Sequence, residues 1–144
     1  MKEAVPLFVY GSLMSGLKHH DQLAGARRLG DAQLMGHHLV LYEGAYPALV
    51  PGPPRNAPLA GSTLSKQAQL TVVVGEVFVV EPEHLQRLDL FEECPDLYQR
   101  IQVSLVGGML AQAYAVTGEL ALNYPPILGN FREYLGSFTA HSPS

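Results

Sequence analysis

The sequence predicts an α+β domain built on a mainly antiparallel, barrel-like sheet. Three observations predict it. Apolar residues fall in many short runs of strand length, bounded by glycine and proline. One segment near the middle of the chain carries a helical repeat with its own start and stop signals. No internal repeat and no linker divides the 144 residues, a length that suits a single domain over 1–144 with one core.

The elements follow in order. Leu7-Phe8-Val9-Tyr10 is a continuous apolar run stopped by Gly11, the pattern of a buried strand feeding a turn. Residues 33–42 form a second strand candidate with weak alternation and two histidines. Tyr46-Pro47-Ala48-Leu49-Val50 is a third, bounded by proline. Residues 51–65 are rich in Pro, Gly, Ser and Ala and lack periodicity; a loop of that size in a compact domain is functional or mobile. Residues 70–80 are valine-rich, and Gly75 among them marks a bulge or a close backbone approach. Glu81-Pro82-Glu83 opens a helix, with proline in the first turn and acids at the positive dipole end. That helix runs to about Glu93 and stops at Cys94-Pro95. Residues 97–105 place Leu97, Ile101, Val103 and Leu105 on one face. Gly107-Gly108 is a hairpin signal, with 109–116 as the return strand. Tyr124-Pro125-Pro126 interrupts the tail, and Phe131, Tyr134 and Leu135 suit a short terminal helix.

Composition excludes several classes of function. Apolar residues make up 47% and charged residues 15%, which is globular rather than disordered. The formal net charge of -4, with nine Lys plus Arg and no basic run among aromatics, argues against nucleic acid as a partner. Cys94 is the single cysteine, so no intrachain disulfide forms. The apolar run after Met1-Lys2-Glu3-Ala4-Val5-Pro6 is broken at Tyr10-Gly11-Ser12. It is too short for a signal sequence, and no stretch has the length of a membrane span. A soluble cytoplasmic protein is expected. The oligomeric state is left open.

Chemistry is expected first at Glu92. Leu85, Leu88 and Glu92 stand at i, i+3 and i+7 and share one helix face. The leucines turn that face toward the core, so Glu92 continues an apolar stripe with a carboxylate. Burial raises a carboxyl pKa toward the range a general acid/base uses. Spacing alone leaves two readings open: a titrating group, or a structural glutamate held by a backbone group or an arginine. Asp89 and Glu93 lie on a different face and are expected to be solvated. Tyr98 and Arg100 share the polar face of their strand and either line a cavity or meet water.

A second candidate is Tyr10, Gly11, Ser12 and Leu13. Gly11 permits an unusual turn, and successive N–H groups in such a turn suit a carboxylate or phosphate. The segment only superficially resembles a P-loop: its lysine, Lys18, comes one place late, and His19 follows it. Ser12 lacks the glycine-flanked elbow of a serine nucleophile. His19-His20 and His37-His38 lack metal-ligand spacing, so no metal is expected. Cys94 has no activating neighbour and reads as a structural thiol.

Two segments together carry a resemblance. Tyr10-Gly11-Ser12-Leu13, and later Leu88-Asp89-Leu90-Phe91-Glu92-Glu93-Cys94-Pro95-Asp96-Leu97-Tyr98-Gln99-Arg100, resemble the γ-glutamyl cyclotransferase-like family. The second segment is most similar to its γ-glutamylamine cyclotransferase branch. Tyr46-Pro47 and Val74-Gly75-Glu76-Val77-Phe78 are weaker echoes. The resemblance implies a small α+β fold around a mixed β-barrel, and a reaction that needs no metal or cofactor and releases 5-oxoproline from a γ-glutamyl compound. It places the catalytic glutamate at Glu92, the glutamyl-binding loop at Tyr10, Gly11, Ser12 and Leu13, and a pocket tyrosine at Tyr98. The partner it implies is a small γ-glutamyl amine. γ-Glutamyl amino acids, a γ-glutamyl-protected intermediate, and a barrel that binds small carboxylates without turnover are the alternatives. One position departs from the family pattern: Glu93 stands where glycine usually follows the catalytic glutamate. The 51–65 loop is poorly matched and is a candidate for substrate choice.

Overall fold

A computed structural model describes residues 4–42, 46–52, 72–91, 98–116, 126–127 and 130–131. The described elements are β1 (Val5–Val9), a one-turn 3-10 helix (His20–Leu23), β2 (Arg27–Met35), β3 (His37–Tyr42), β4 (Tyr46–Pro51) and β5 (Val72–Val80). They are followed by α1 (Pro82–Phe91), β6 (Gln99–Ser104), β7 (Leu110–Ala115) and β8 (Pro126–Ile127). The eight strands form one mixed sheet in the order β2-β5-β1-β7-β4-β3-β8, with β6 paired to β7. The sheet curls into a half-barrel, with α1 the one α-helix among the described elements, as expected of the fold class. The Val106 N–H donates to the Gln33 carbonyl at 2.9 Å, tying the β6–β7 hairpin back to β2.

Each pairing has a local cause. β1 runs antiparallel to β5 over its whole length, and both are apolar enough to be covered on two sides; Leu7, Phe8, Val73 and Val80 are fully buried. β6 and β7 form the expected hairpin. Gly107 and Gly108 take φ of +100° and +98°, and the Leu105 N–H donates to the Met109 carbonyl at 2.8 Å. Only glycine reaches such φ without strain. α1 buries Leu85 and Leu88 as its spacing predicts, with His84 beside them. The His84 Nε2–H donates to the Gln22 carbonyl at 2.6 Å.

Two expectations are corrected, and a third, which left two readings open, is resolved. The single strand expected over 33–42 is two strands, split at Gly36, which has φ +76°. The first of them begins already at Arg27 and is mostly exposed. It lies at the edge of the sheet, so it buries too little side chain to show alternation. Its pairing with β5 is a tertiary fact that no local pattern carries. Pro126, read as interrupting the tail, is in β8 opposite Val40 on β3. β8 ends the sheet, where a missing N–H costs least. Gly75 marks a close approach rather than a bulge. The irregularity lies in β2, between Arg28 and Gly30.

Residues 53–65 of the expected loop, the stretch 92–97 with Glu92, Glu93 and Cys94, and Tyr134 and Leu135 of the expected terminal helix lie outside the described residues. Among the described residues no helix is long and apolar enough to cross a membrane.

Candidate active site

The site begins where the sheet forks. β7 gives one edge to β6. Its other edge is divided between two parallel neighbours: β1 meets it at Leu7 and Gln112, and β4 at Leu49 and Ala115. Where such strands part, backbone groups lose ladder partners and a crevice opens at the strand ends. Tyr10 fills this fork. It is 6% exposed, and its hydroxyl donates to the Tyr114 carbonyl at 2.6 Å while accepting from the Leu49 N–H at 3.1 Å. One phenol thus replaces the ladder hydrogen bonds that the fork interrupts.

A prediction follows directly. Tyr10→Phe keeps the ring and strands a buried donor and a buried acceptor. An unsatisfied buried group costs about 1–3 kcal/mol, so a loss of about 2–4 kcal/mol is expected, read as a lower urea midpoint with the m-value unchanged.

The next residues form a tight, backbone-stitched loop. The Met14 N–H donates to the Gly11 carbonyl at 3.0 Å, and the His19 N–H to the Ser12 carbonyl at 2.9 Å. A β-carbon on Gly11 would sit 2.7 Å from Pro47 Cγ, so β4 can close on the loop only over a glycine. Leu13 and Met14 are buried. Among the described residues none accepts a hydrogen bond from the N–H of Gly11, Ser12 or Leu13. Tyr98 joins the same neighbourhood: it is 7% exposed, and its hydroxyl donates to the Pro47 carbonyl at 3.2 Å. Pro47 therefore lies between Gly11 and Tyr98.

The C-terminal end of α1 is fastened to this loop along two routes. The Phe91 ring meets the edge of His19, centroids 5.2 Å apart, and His19 Nδ1 shares a 2.8 Å hydrogen bond with Ser12 Oγ. On the other side, Asp89 Oδ1 accepts from Arg100 Nε and from the Tyr114 hydroxyl, each at 2.7 Å. Asp89 Oδ2 accepts from Arg100 Nη2 at 3.1 Å. Tyr114 thus holds Asp89 by its hydroxyl and Tyr10 by its carbonyl. The expectation of a solvated Asp89 is overturned. Asp89 stands four residues after Leu85 and so lies beside the leucine face rather than away from it, where β6 and β7 supply an arginine and a tyrosine. Arg100 accordingly pairs with Asp89, and Tyr98 is in the core. Glu92, next in the chain after Phe91, lies outside the described residues.

Sequence reasoning passed over Glu76 except as an echo of the family. It is 2% exposed. Its Oε1 accepts from the Ser15 N–H at 2.6 Å and its Oε2 from Arg28 Nε at 2.7 Å. Arg28 also contacts Asp31. Burial pushes the Glu76 carboxyl up, but the Ser15 amide and the Arg28 guanidinium outweigh it and hold it below the usual value, so it is ionised at neutral pH. One signal could have found it: an acid inside a valine run reads as buried on both faces and must have partners.

The histidine pairs split across their elements. His37 bonds the Met35 carbonyl in an exposed position, whereas His38 is buried and donates to the Gly52 carbonyl. His20 donates to the Leu13 carbonyl, bracing the loop from its far side.

A curled mixed sheet with a backbone-stitched tyrosine–glycine loop at its fork, facing a helix end, defines a fold class with solved relatives. A protein from Pyrococcus horikoshii described as uncharacterised superposes with a TM-score of 0.70 at 24% identity, over 96% of this chain and 99% of that one. An AIG2-like protein from Mus musculus superposes at 0.67 and 24% identity, over 87% and 86%. Residues 7–132 match the family described as "Gamma-glutamyl cyclotransferase, AIG2-like", and the chain belongs to that family. It is 36% identical over 104 residues to a gamma-glutamylaminecyclotransferase of Bos taurus, covering 71% of this chain and 58% of that one. It is 33% identical over 99 residues to gamma-glutamylaminecyclotransferase C of Danio rerio, covering 69% and 60%. The chain thus spans about three fifths of the length of these two relatives.

Proposed function

We propose that this protein is a cyclotransferase that releases 5-oxoproline from γ-glutamyl amines, with Glu92 as general acid/base. The observation that carries the reading is the tie between the end of α1 and the 10–13 loop through Phe91, His19 and Ser12. It brings the residue before Glu92 to the loop whose amides suit a carboxylate. The names of the two similar curated proteins supply the γ-glutamyl amine as substrate class.

The chemistry needs little from the protein. The substrate's own α-amine is the nucleophile, and it must be neutral; a free α-amine has a pKa of about 8. The neutral amine nitrogen attacks the γ-carbonyl carbon and closes a five-membered lactam, and Glu92 as carboxylate takes the proton that this nitrogen sheds on becoming the lactam N–H. The bond to the leaving nitrogen breaks as Glu92, now an acid, returns the proton to it. The products are 5-oxoproline and the free amine. Proximity is already built into the substrate, so binding has to fix the bent conformer. The Gly11, Ser12 and Leu13 amides are suited to hold the glutamyl carboxylate and to polarise the reacting carbonyl. Tyr10 and Tyr98 shape the apolar wall around them. A single cysteine in the chain fits a reducing compartment, the cytoplasm.

The test is a panel: γ-glutamyl-lysine, other γ-glutamyl amines, γ-glutamyl dipeptides and a γ-glutamyl-protected intermediate with a free α-amine, each assayed for 5-oxoproline. Amines should lead. A lead for dipeptides keeps the reaction and changes the substrate. Tight binding of 5-oxoproline with no turnover anywhere on the panel would make the protein a carboxylate binder instead.

A further inference from the structure

Glu76 holds the two residues that flank the 10–14 loop. Its backbone lies opposite Val9, the last residue of β1. Its carboxylate reaches past the loop to the Ser15 N–H at 2.6 Å. Val9 and Ser15 are the residues on either side of the 10–14 segment, so one residue brackets both its ends. Gly75 makes this possible by letting β5 pass against the Val9 carbonyl. Arg28 on β2 takes the second carboxylate oxygen at 2.7 Å, which leaves the first aimed at Ser15.

We propose that Glu76 is a positioning residue: by bracketing the 10–14 loop it sets the Gly11, Ser12 and Leu13 amides for the glutamyl carboxylate before substrate arrives. The loop's internal bonds, Met14 to Gly11 and His19 to Ser12, fix its curvature, and Glu76 ties its exit to β5. A charged acceptor holds an amide more strongly than a neutral one. Donors aimed in advance also spare the substrate the cost of ordering them. Both Glu76 oxygens are committed to donors, so it is not a second acid/base. The ionised state described above fits this role, because a protonated carboxyl would give up one of those bonds.

The kinetic part of the proposal rests on the cyclotransferase reading; the structural part does not. Two measurements test it on Glu76→Gln and Arg28→Met: amide hydrogen exchange at residues 11–15, and steady-state kinetics on the best γ-glutamyl amine. Glutamine keeps the size but must turn an NH2 toward either Arg28 or Ser15, where donor faces donor. Glu76→Gln should speed exchange about tenfold or more at Met14 and Ser15, the loop amides that donate hydrogen bonds. It should raise KM by a similar factor and leave kcat within about threefold, the pattern of lost uniform binding. Arg28→Met keeps the Ser15 bond and should move both readouts the same way by about threefold. Unchanged exchange in folded Glu76→Gln overturns the proposal, as does faster exchange with an unchanged KM, or a loss confined to kcat. If Glu76→Gln does not fold, Arg28→Met decides alone by the same criteria. If the unmodified protein turns over nothing on the panel, the cyclotransferase reading fails. The loop proposal is then judged by exchange together with the Kd for 5-oxoproline, which should weaken about tenfold in Glu76→Gln; an unchanged Kd sinks it.

Discussion

Replacing Glu92 with glutamine is expected to lower kcat for 5-oxoproline release by about 10²–10⁴-fold, the usual worth of a positioned acid/base. Glutamine is nearly isosteric, keeps a hydrogen-bonding head and cannot take the α-amine proton. KM should move little, because the glutamyl carboxylate is assigned to the loop amides and not to Glu92. The part of the acid limb of the kcat/KM profile that reports this carboxylate should also disappear, leaving the limb set by the substrate α-amine, whose free pKa is about 8. Steady-state rates from about pH 5 to 9 on the variant and the parent, with circular dichroism to confirm the fold, decide it. A variant within about threefold of the parent in kcat would remove Glu92 from the mechanism. Glu93 should behave differently. It replaces the glycine usual in the family, so Glu93→Gly asks only whether the second acid tunes the first.

Gly75→Ala is expected to be the most damaging single-methyl change among the described residues. The new β-carbon would lie 2.1 Å from the Val9 carbonyl oxygen and 2.9 Å from the Phe8 ring. The first obstacle is backbone, where β5 passes the last residue of β1, and cannot swing aside. Packed interiors resist such insertion at about 1–3 kcal/mol even when only side chains must move. Here two strands must part, so a loss of about 3 kcal/mol or more is expected, or about 10 °C in melting temperature for a domain of this size. The cost is one of contact, since Gly75 is not among the glycines with positive φ. Gly11→Ala is the informative comparison. Its β-carbon would meet Pro47 Cγ at 2.7 Å, a ring edge at the end of the sheet, so the loss should be smaller and fall more on activity than on melting. Scanning calorimetry on both variants checks the order. A Gly75→Ala protein that melts within about 2 °C of the parent would contradict the contact.

The parts legible in the sequence share a physical basis. Leu7-Phe8-Val9, the valine run around Gly75 and the Gly107-Gly108 hairpin are local. Burial, alternation and φ freedom write themselves into neighbouring residues, and the structure matches them. The leucine face of α1 is local too. What was missed depends on residues far apart in the chain. β2 is polar and exposed because it is an edge, and only β5 makes it a strand. Asp89 looked solvated because its partners, Arg100 and Tyr114, arrive from two later strands. Glu76 needed Ser15 and Arg28, distant from it in sequence, before its charge could be placed.

The sequence by itself determined the class of the fold and its family, and pointed to Glu92 and the Tyr10, Gly11, Ser12 and Leu13 loop as the pieces to examine. It could do so because short motifs preserve local backbone geometry and side-chain chemistry. Only the tertiary structure decided how that loop is held. Tyr10 became the bridge across a fork in the sheet, and Tyr114 the link from that bridge to the end of α1. Glu76 became the charge that brackets the loop. Hydrogen bonds between distant residues depend on how the strands are ordered in the sheet, and strand order is fixed by the packing of the whole chain.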